Sequence, residues 1–259
     1  MKQIDFDHGT VTGNILGAAL PMLVAQILSL LYNIVDRIYI ARIPSVGTTA
    51  LGAVGLCFPI IVIITAFSNL FGSGGAPIFS INRGKGNIKR AETIMNTSFS
   101  MMCICGVVLT VIGMMSASPI LVLFGASEEG LSYAYPYMMI YLIGTIPSML
   151  ALGLNPYINA QGYSTTGMIS VAIGAVFNFI LDPLFIFVFG LGVKGAAVAT
   201  VISQCLSAMF TIYFLTHKSE LKMRFLKKSE LAECAGYAKN IISLGTAGFI
   251  MQVTNSLVT

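Results

Sequence analysis

Six long apolar windows dominate this sequence, at about Ile15 to Ile40, Leu51 to Phe79, Ile94 to Met115, Tyr137 to Tyr157, Met168 to Phe189 and Ala196 to Leu215. Each reaches or exceeds the ~20 residues that a helix needs to cross a bilayer. Inside the hydrocarbon the backbone must satisfy its own polar groups, which a helix does within one segment. Composition agrees: 56% of the residues are hydrophobic, 9% are charged and the mean hydropathy is +0.87, whereas roughly a quarter of the residues of a globular domain are charged. The expected fold is an all-α membrane protein with a six-transmembrane-helix bundle over residues 1–216. A seventh apolar segment runs from Ile241 for 19 residues to Thr259, and is expected to be the start of the first helix of a second lobe. Residues 217–240 read as a basic linker between the two.

Charge placement predicts orientation. Arg83, Lys85, Lys89 and Arg90 follow the second window, and Lys218, Lys222, Arg224, Lys227, Lys228 and Lys239 follow the sixth; with Lys2 they put eleven basic residues on one side, against Arg37, Arg42 and Lys194 on the other. Cytoplasmic loops retain Lys and Arg, so the N-terminus and the linker are expected in the cytoplasm, with Glu128 and Glu129 outside. The net charge of +4 thus follows from topology. No basic cluster interleaved with aromatics points to nucleic acid, and the polar residues 1–14 before a full-length apolar run do not form a cleavable signal peptide.

Several possible sites give way to plainer readings. Cys57, Cys103, Cys105, Cys205 and Cys234 have spacings that suit neither a disulfide framework nor zinc. The run Phe71-Gly72-Ser73-Gly74-Gly75-Ala76-Pro77 lacks the Gly-Lys-Ser/Thr ending of a phosphate loop and lies inside an apolar window, so close helix packing is expected of it. Pro21, Pro59, Pro77, Pro136, Pro147, Pro156 and Pro183 lie in or beside the spans, where proline favours kinks.

The informative residues are two acids. Of ten carboxylates, only Asp36 and Asp182 lie deep within apolar windows, where an ionisable group is costly and usually functional. Gln26, Ser29, Asn33 and Asp36 share one face of the first span by their spacing of three and four residues. Thr166, Ser170, Gly174, Asn178 and Asp182 recur every fourth residue in the fifth. The sixth adds Thr200, Ser203, Gln204, Ser207 and Thr211, and the fourth Ser148, Asn155 and Asn159. One such stripe is commonly interhelical glue; four that carry two carboxylates predict a water-accessible cavity with acid on its wall. Asp182 could instead cap a half-helix restarting at Pro183, and Asp36 could be an interfacial carboxylate beside a snorkelling Arg37. As cavity groups, Asp36, Asn178 and Asp182 would offer the all-oxygen surroundings that hard cations such as sodium favour, or would exchange a proton.

Tyr32-Asn33-Ile34-Val35-Asp36, Asn155-Pro156-Tyr157-Ile158-Asn159-Ala160-Gln161-Gly162, Asn178-Phe179-Ile180-Leu181-Asp182-Pro183-Leu184-Phe185-Ile186-Phe187 and Gly192-Val193-Lys194-Gly195-Ala196-Ala197 together resemble the MATE (multidrug and toxic compound extrusion) family of antiporters, across essentially the whole chain. The resemblance implies a multi-pass protein of the cell membrane, without cofactor, that exports cationic or amphipathic drug-like molecules against H+ or Na+. It also implies two six-helix lobes around a V-shaped cavity, of which this chain supplies the first. By position, Asp36, Asn155, Asn178, Asp182 and Thr200 match the family's cation site, with Gln26, Ser29, Asn33, Asn159, Ser203, Gln204 and Ser207 as cavity-lining candidates. Asn14, Ile15, Gln26 and Leu31 are echoed by Asn240, Ile241, Gln252 and Leu257 at a constant offset of 226 residues, as expected where a second parallel repeat begins.

Two alternatives belong to other activities. An intramembrane aspartyl protease would also use paired acids, but Asp182 follows Phe179-Ile180-Leu181 and not Gly-x-Gly. A lipid-linked saccharide flippase of the same superfamily would call for cationic groups in the cavity, and the spans are nearly free of Lys and Arg.

Overall fold

The computed structural model describes residues 3–4, 10–44, 46–226 and 231–258; Lys2, Lys227, Lys228 and Thr259, used above, lie outside them. The helices are α1 (Val11–Ala41), α2 (Gly47–Gly55), α3 (Phe58–Gly84), α4 (Ile88–Leu123), α5 (Glu128–Ile143), α6 (Thr145–Gly153), α7 (Asn155–Ala160), α8 (Ser164–Pro183), α9 (Val193–Tyr213) and α10 (Leu231–Val258). α8 and α9 each continue into a π-helical turn, Leu184–Val188 and Phe214–Lys218. Among the described residues, five helices are long and apolar enough to cross a bilayer on their own, and α5 with the α6–α7 segment, bent by 58°, counts as a sixth when taken as one span. This is the six-span membrane bundle that the apolar windows predict.

Local chemistry sets the ends. Thr10 and Ser127 cap α1 and α5 by accepting from Gly13 N and Gly130 N at 3.2 and 3.0 Å, and Glu128 and Glu129 stand in the favourable first turn of α5. α3 stops at Gly86, whose φ of 74° suits a residue without a side chain; the next amide, Asn87 N, turns back to Asn82 O at 2.9 Å. Pro59 and Pro156 open α3 and α7, a position where the missing N–H costs nothing. They therefore start helices and do not kink them. The bend in the sixth span falls at Gly144, between α5 and α6.

α1 packs on α8, α8 on α9, and α9 on α5 and α6; α3 fills the other side against α4, α6 and α10. The glycine run lies where α3 meets its neighbours. A Cβ on Gly72 would stand 2.5 Å from Gly153 O of α6, one on Gly74 would collide with the α10 backbone at Ile241, and one on Gly75 with the Tyr157 hydroxyl. Tyr157 is fully buried, its ring edge-on to Phe79 at 5.5 Å, and its hydroxyl donates to Ser98 Oγ at 2.5 Å. Close packing is what these glycines provide.

α10 begins ten residues before the apolar segment recognised at Ile241 and lies along α3. Gln252 Nε2 donates to Thr65 Oγ1 at 2.8 Å and Gln252 Oε1 accepts from Asn69 Nδ2 at 2.7 Å. Phe67 and Phe249 meet at 4.9 Å, and a Cβ on Gly245 would collide with Leu70 O.

The first part of the expected linker is a docked strap. Ser219, Leu221 and Met223 alternate into the bundle and are buried. Leu221 N donates to Gln161 Oε1 at 2.9 Å, and Arg224 N to Asn96 Oδ1 at 2.8 Å. Glu220 pairs with Arg83 at 2.7 Å and accepts from Gln3 Nε2 at 3.0 Å. These contacts gather the α3–α4 loop and the strap, with their basic residues, at one end of the bundle.

Candidate functional site

The polar stripes of α1, α8 and α9 converge where α1 crosses α8. Asp182 is fully buried and Asn178, one turn earlier, nearly so. Asn178 Nδ2 donates to Asp182 Oδ1 at 3.1 Å and lies 3.4 Å from Thr200 Oγ1 on α9. Asp36 comes from α1 and stands beside Asp182. One oxygen of each acid, Asp36 Oδ1 and Asp182 Oδ2, is buried without a donor. α8 runs through Asp182 to Pro183 and then widens, with Phe189 N reaching Leu184 O at 2.9 Å. Asp182 is therefore within a continuous helix and caps none. The neighbouring Arg37 shares the larger chamber with Asp36, its guanidinium 5.1 Å over the Phe58 ring.

Two chambers flank this cluster. The larger, about 180 Å³, is lined by Asp36, Asn33, Arg37, Phe58, Tyr137 and Tyr141, among others. The smaller, about 80 Å³, is lined by Ser29, Ser148, Gly174, Asn178, Ser203 and Ser207, among others. Tyr32, Thr200 and Gln204 line both. Ser203 Oγ and Gln204 Oε1 are buried without a partner, whereas Ser207 Oγ donates to Ser170 O at 2.8 Å and Asn33 Nδ2 to Ser29 O at 2.7 Å.

Three expected site residues lie elsewhere. Asn155 donates to Gly167 O and Ser170 Oγ, both at 2.9 Å, and accepts from Asn159 at 3.0 Å. Ser170 precedes Asn178 by eight residues, about 12 Å along α8, so Asn155 ties α7 to the start of α8 and is not a ligand beside Asp182. Asn159 belongs to the same tie and lines neither chamber. Gln26 stands exposed on α1, ten residues and about 15 Å from Asp36. Equal polarity in a stripe does not place residues at equal depth.

Tyr32, Tyr137 and Tyr141 are wall residues that the stripes miss. Tyrosine counts as apolar in a hydropathy window, yet carries a hydroxyl that buried sites use. The i, i+4 spacing of Tyr137 and Tyr141, whose rings stack with centroids 6.3 Å apart, is the signal that could have found them.

A membrane bundle of helices with buried acids at a helix crossing, one of them on a chamber wall, is the architecture of a membrane transporter. The MatE family model matches residues 21–184, most of the chain, and the protein belongs to that family, whose members are transporters and not enzymes. Multidrug export protein MepA of Staphylococcus haemolyticus is 27% identical over 248 residues, 96% of this chain and 54% of its own length. An FAD transporter of Shewanella oneidensis is 28% identical over 225 residues, 84% of this chain and 49% of its own. Among solved structures, an outward-facing multidrug resistance MATE family transporter of the MOP superfamily superposes with a TM-score of 0.85 at 25% identity, covering 94% of this chain and 53% of that one. A MATE protein in complex with MaD3S shares the fold with a TM-score of 0.88 at 24% identity, covering 99% and 57%. The chain spans about half the length of the curated relatives it matches.

Proposed function

We propose that this chain is the first lobe of a two-lobe antiporter that exports cationic or amphipathic compounds in exchange for inward-moving H+ or Na+. The observation that carries this reading is the pair Asp36 and Asp182, each with a buried oxygen that no donor reaches. An unpaired buried charge costs several kcal/mol, and a proton or a small cation between the acids removes that cost. The site fits such cargo chemically: Asp36, Asp182, Asn178 and Thr200 offer oxygen ligands, and Asn178 Nδ2 fixes one carboxylate oxygen. Arg37 is the sole fixed cation among the lining residues of the two chambers, which favours positively charged cargo over the acidic cargo of a flippase. Both alternate access and a drug-sized cavity would need the second lobe.

The test is counter-flow in vesicles that carry the complete two-lobe polypeptide. Export of an organic cation such as ethidium should follow an imposed proton or sodium gradient. Asp36→Asn and Asp182→Asn should abolish it at normal membrane insertion, and Asn178→Ala and Thr200→Ala should weaken it less. Near-normal export in both Asp→Asn variants returns these residues to helix glue, and robust export by the 259 residues alone rejects the two-lobe requirement. The basic end of the bundle is proposed to face the cytoplasm of a cell-membrane protein. A cysteine at Lys85 labelled by an impermeant outside reagent in intact cells would reverse that orientation.

A further inference from the structure

α8 and α9 pack side by side along their polar stripes, and two contacts fix an antiparallel register. Asn178 Nδ2 lies 3.4 Å from Thr200 Oγ1, and two turns farther along the pair Ser207 Oγ donates to Ser170 O at 2.8 Å. Between these rungs Gly174 faces α9, where a Cβ would stand 3.5 Å from Ser207 Cβ, and the smaller chamber opens against Gly174, Ser203 and Ser207. One turn beyond Ser170 and Ser207 the same two faces carry Thr166 and Thr211, both fully buried. The seam thus runs from Asn178, the partner of Asp182, toward the basic end of the bundle, where α9 passes into the turn that carries Lys218.

Buried hydroxyls on other helices give their proton to the carbonyl one turn back: Ser68 to Ile64 O at 3.0 Å, Thr93 to Lys89 O at 2.9 Å and Thr97 to Thr93 O at 2.7 Å. Along the seam this does not happen. Ser203 Oγ, Thr166 Oγ1 and Thr211 Oγ1 are buried and have no partner among the described residues, a costly state for a hydroxyl. Water relieves that cost where the surroundings are polar and roomy, and the chamber of about 80 Å³ exceeds the ~10–15 Å³ that one water requires. Resting on the carboxylate-pair reading above, we propose that the α8–α9 seam is a water-bearing path along which the coupling ion passes between that pair and the basic end. Interhelical glue would pair these hydroxyls with each other or with their own helix. A path needs groups that both give and accept hydrogen bonds and remain open to water, as hydroxyls do.

The test joins water-edited solid-state NMR of the purified chain, isotope-labelled on threonine, in bilayers of phosphatidylethanolamine and phosphatidylglycerol with ion-driven ethidium export by the complete two-lobe polypeptide in vesicles. The methyl signals of Thr166 and Thr211, assigned by their loss in Thr166→Val and Thr211→Val, should receive magnetisation from water several-fold faster than those of Thr93 and Thr97, which are comparably buried. Each Val variant keeps the side-chain shape and removes the hydroxyl, and should slow export about tenfold at normal insertion, the effect of withdrawing one buried hydrogen-bond partner. Thr211→Ser should recover most of that loss, and Thr97→Val should cause none. Transfer to Thr166 and Thr211 as slow as to Thr93 and Thr97, export by both seam Val variants at the rate of Thr97→Val, or a Thr211→Ser variant as slow as Thr211→Val would each overturn the inference. Fast transfer to the seam threonines in a native protein whose export ignores both ion gradients would instead defeat the antiport reading, with the seam's hydration intact.

Discussion

The polar side chains between α3 and α10 and those at the α1–α8 crossing balance their hydrogen bonds in opposite ways. Along α3 and α10, Thr65, Asn69 and Gln252 are neutral and mutually satisfied: Gln252 gives one bond and takes one, and Thr65 passes its own proton to Val62 O at 2.9 Å. At the α1–α8 crossing, two carboxylates meet a single amide donor, and an oxygen of each is left over. Residue type alone does not separate these groups. The count of donors against acceptors does: balance marks structure, and surplus acceptor capacity in a dry place marks a site that expects a cation.

The comparison can be broken most sharply at the carboxylates. Asp182→Asn supplies a donor where one is missing, so it should leave insertion and thermal stability near native while ion-driven export in the two-lobe polypeptide falls to background. Equal loss of folded protein and of export would place Asp182 with the structural group. On the α3 side the expected effects are on stability. Gly74→Leu drives a side chain into the α10 backbone and should cost about 1–3 kcal/mol or more, read as early thermal unfolding of the purified chain. Gln252→Leu should cost about 1 kcal/mol, since interhelical bonds in membrane proteins average ~0.6 kcal/mol each, with no change in the ion dependence of export. The smallest effect belongs to the partly exposed pair at the basic end: Glu220→Gln should lower stability by a few tenths of a kcal/mol, and less in high salt.

Much of this was legible in the sequence. Span number followed from hydropathy, because the bilayer imposes a length that few soluble helices share. The fifth-span stripe was legible because Asn178 and Asp182 repeat at one helical turn, and the structure joins them by a hydrogen bond. What a stripe cannot report is height relative to a stripe on another helix. Asn155, which the family resemblance put in the cation site with Asp182, binds Gly167 and Ser170 near the opposite end of α8. The bend at Gly144 was hidden because a glycine in an apolar run also serves close packing. The strap left a trace in the alternation of Ser219, Leu221 and Met223, which its many charges concealed.

The docked strap and the glycine contact of α10 with α3 bear on leverage. Leu226 and Leu231 are five residues apart in the chain, a reach of roughly 18 Å at full extension, and one lies on the strap while the other begins a helix seated along α3. Torque applied to α10 from farther along a longer polypeptide would be delivered to the α3 backbone at Gly74 and, through Arg83 and Glu220, to the end of the bundle. In mechanical terms α10 would act as a handle on the six-span bundle.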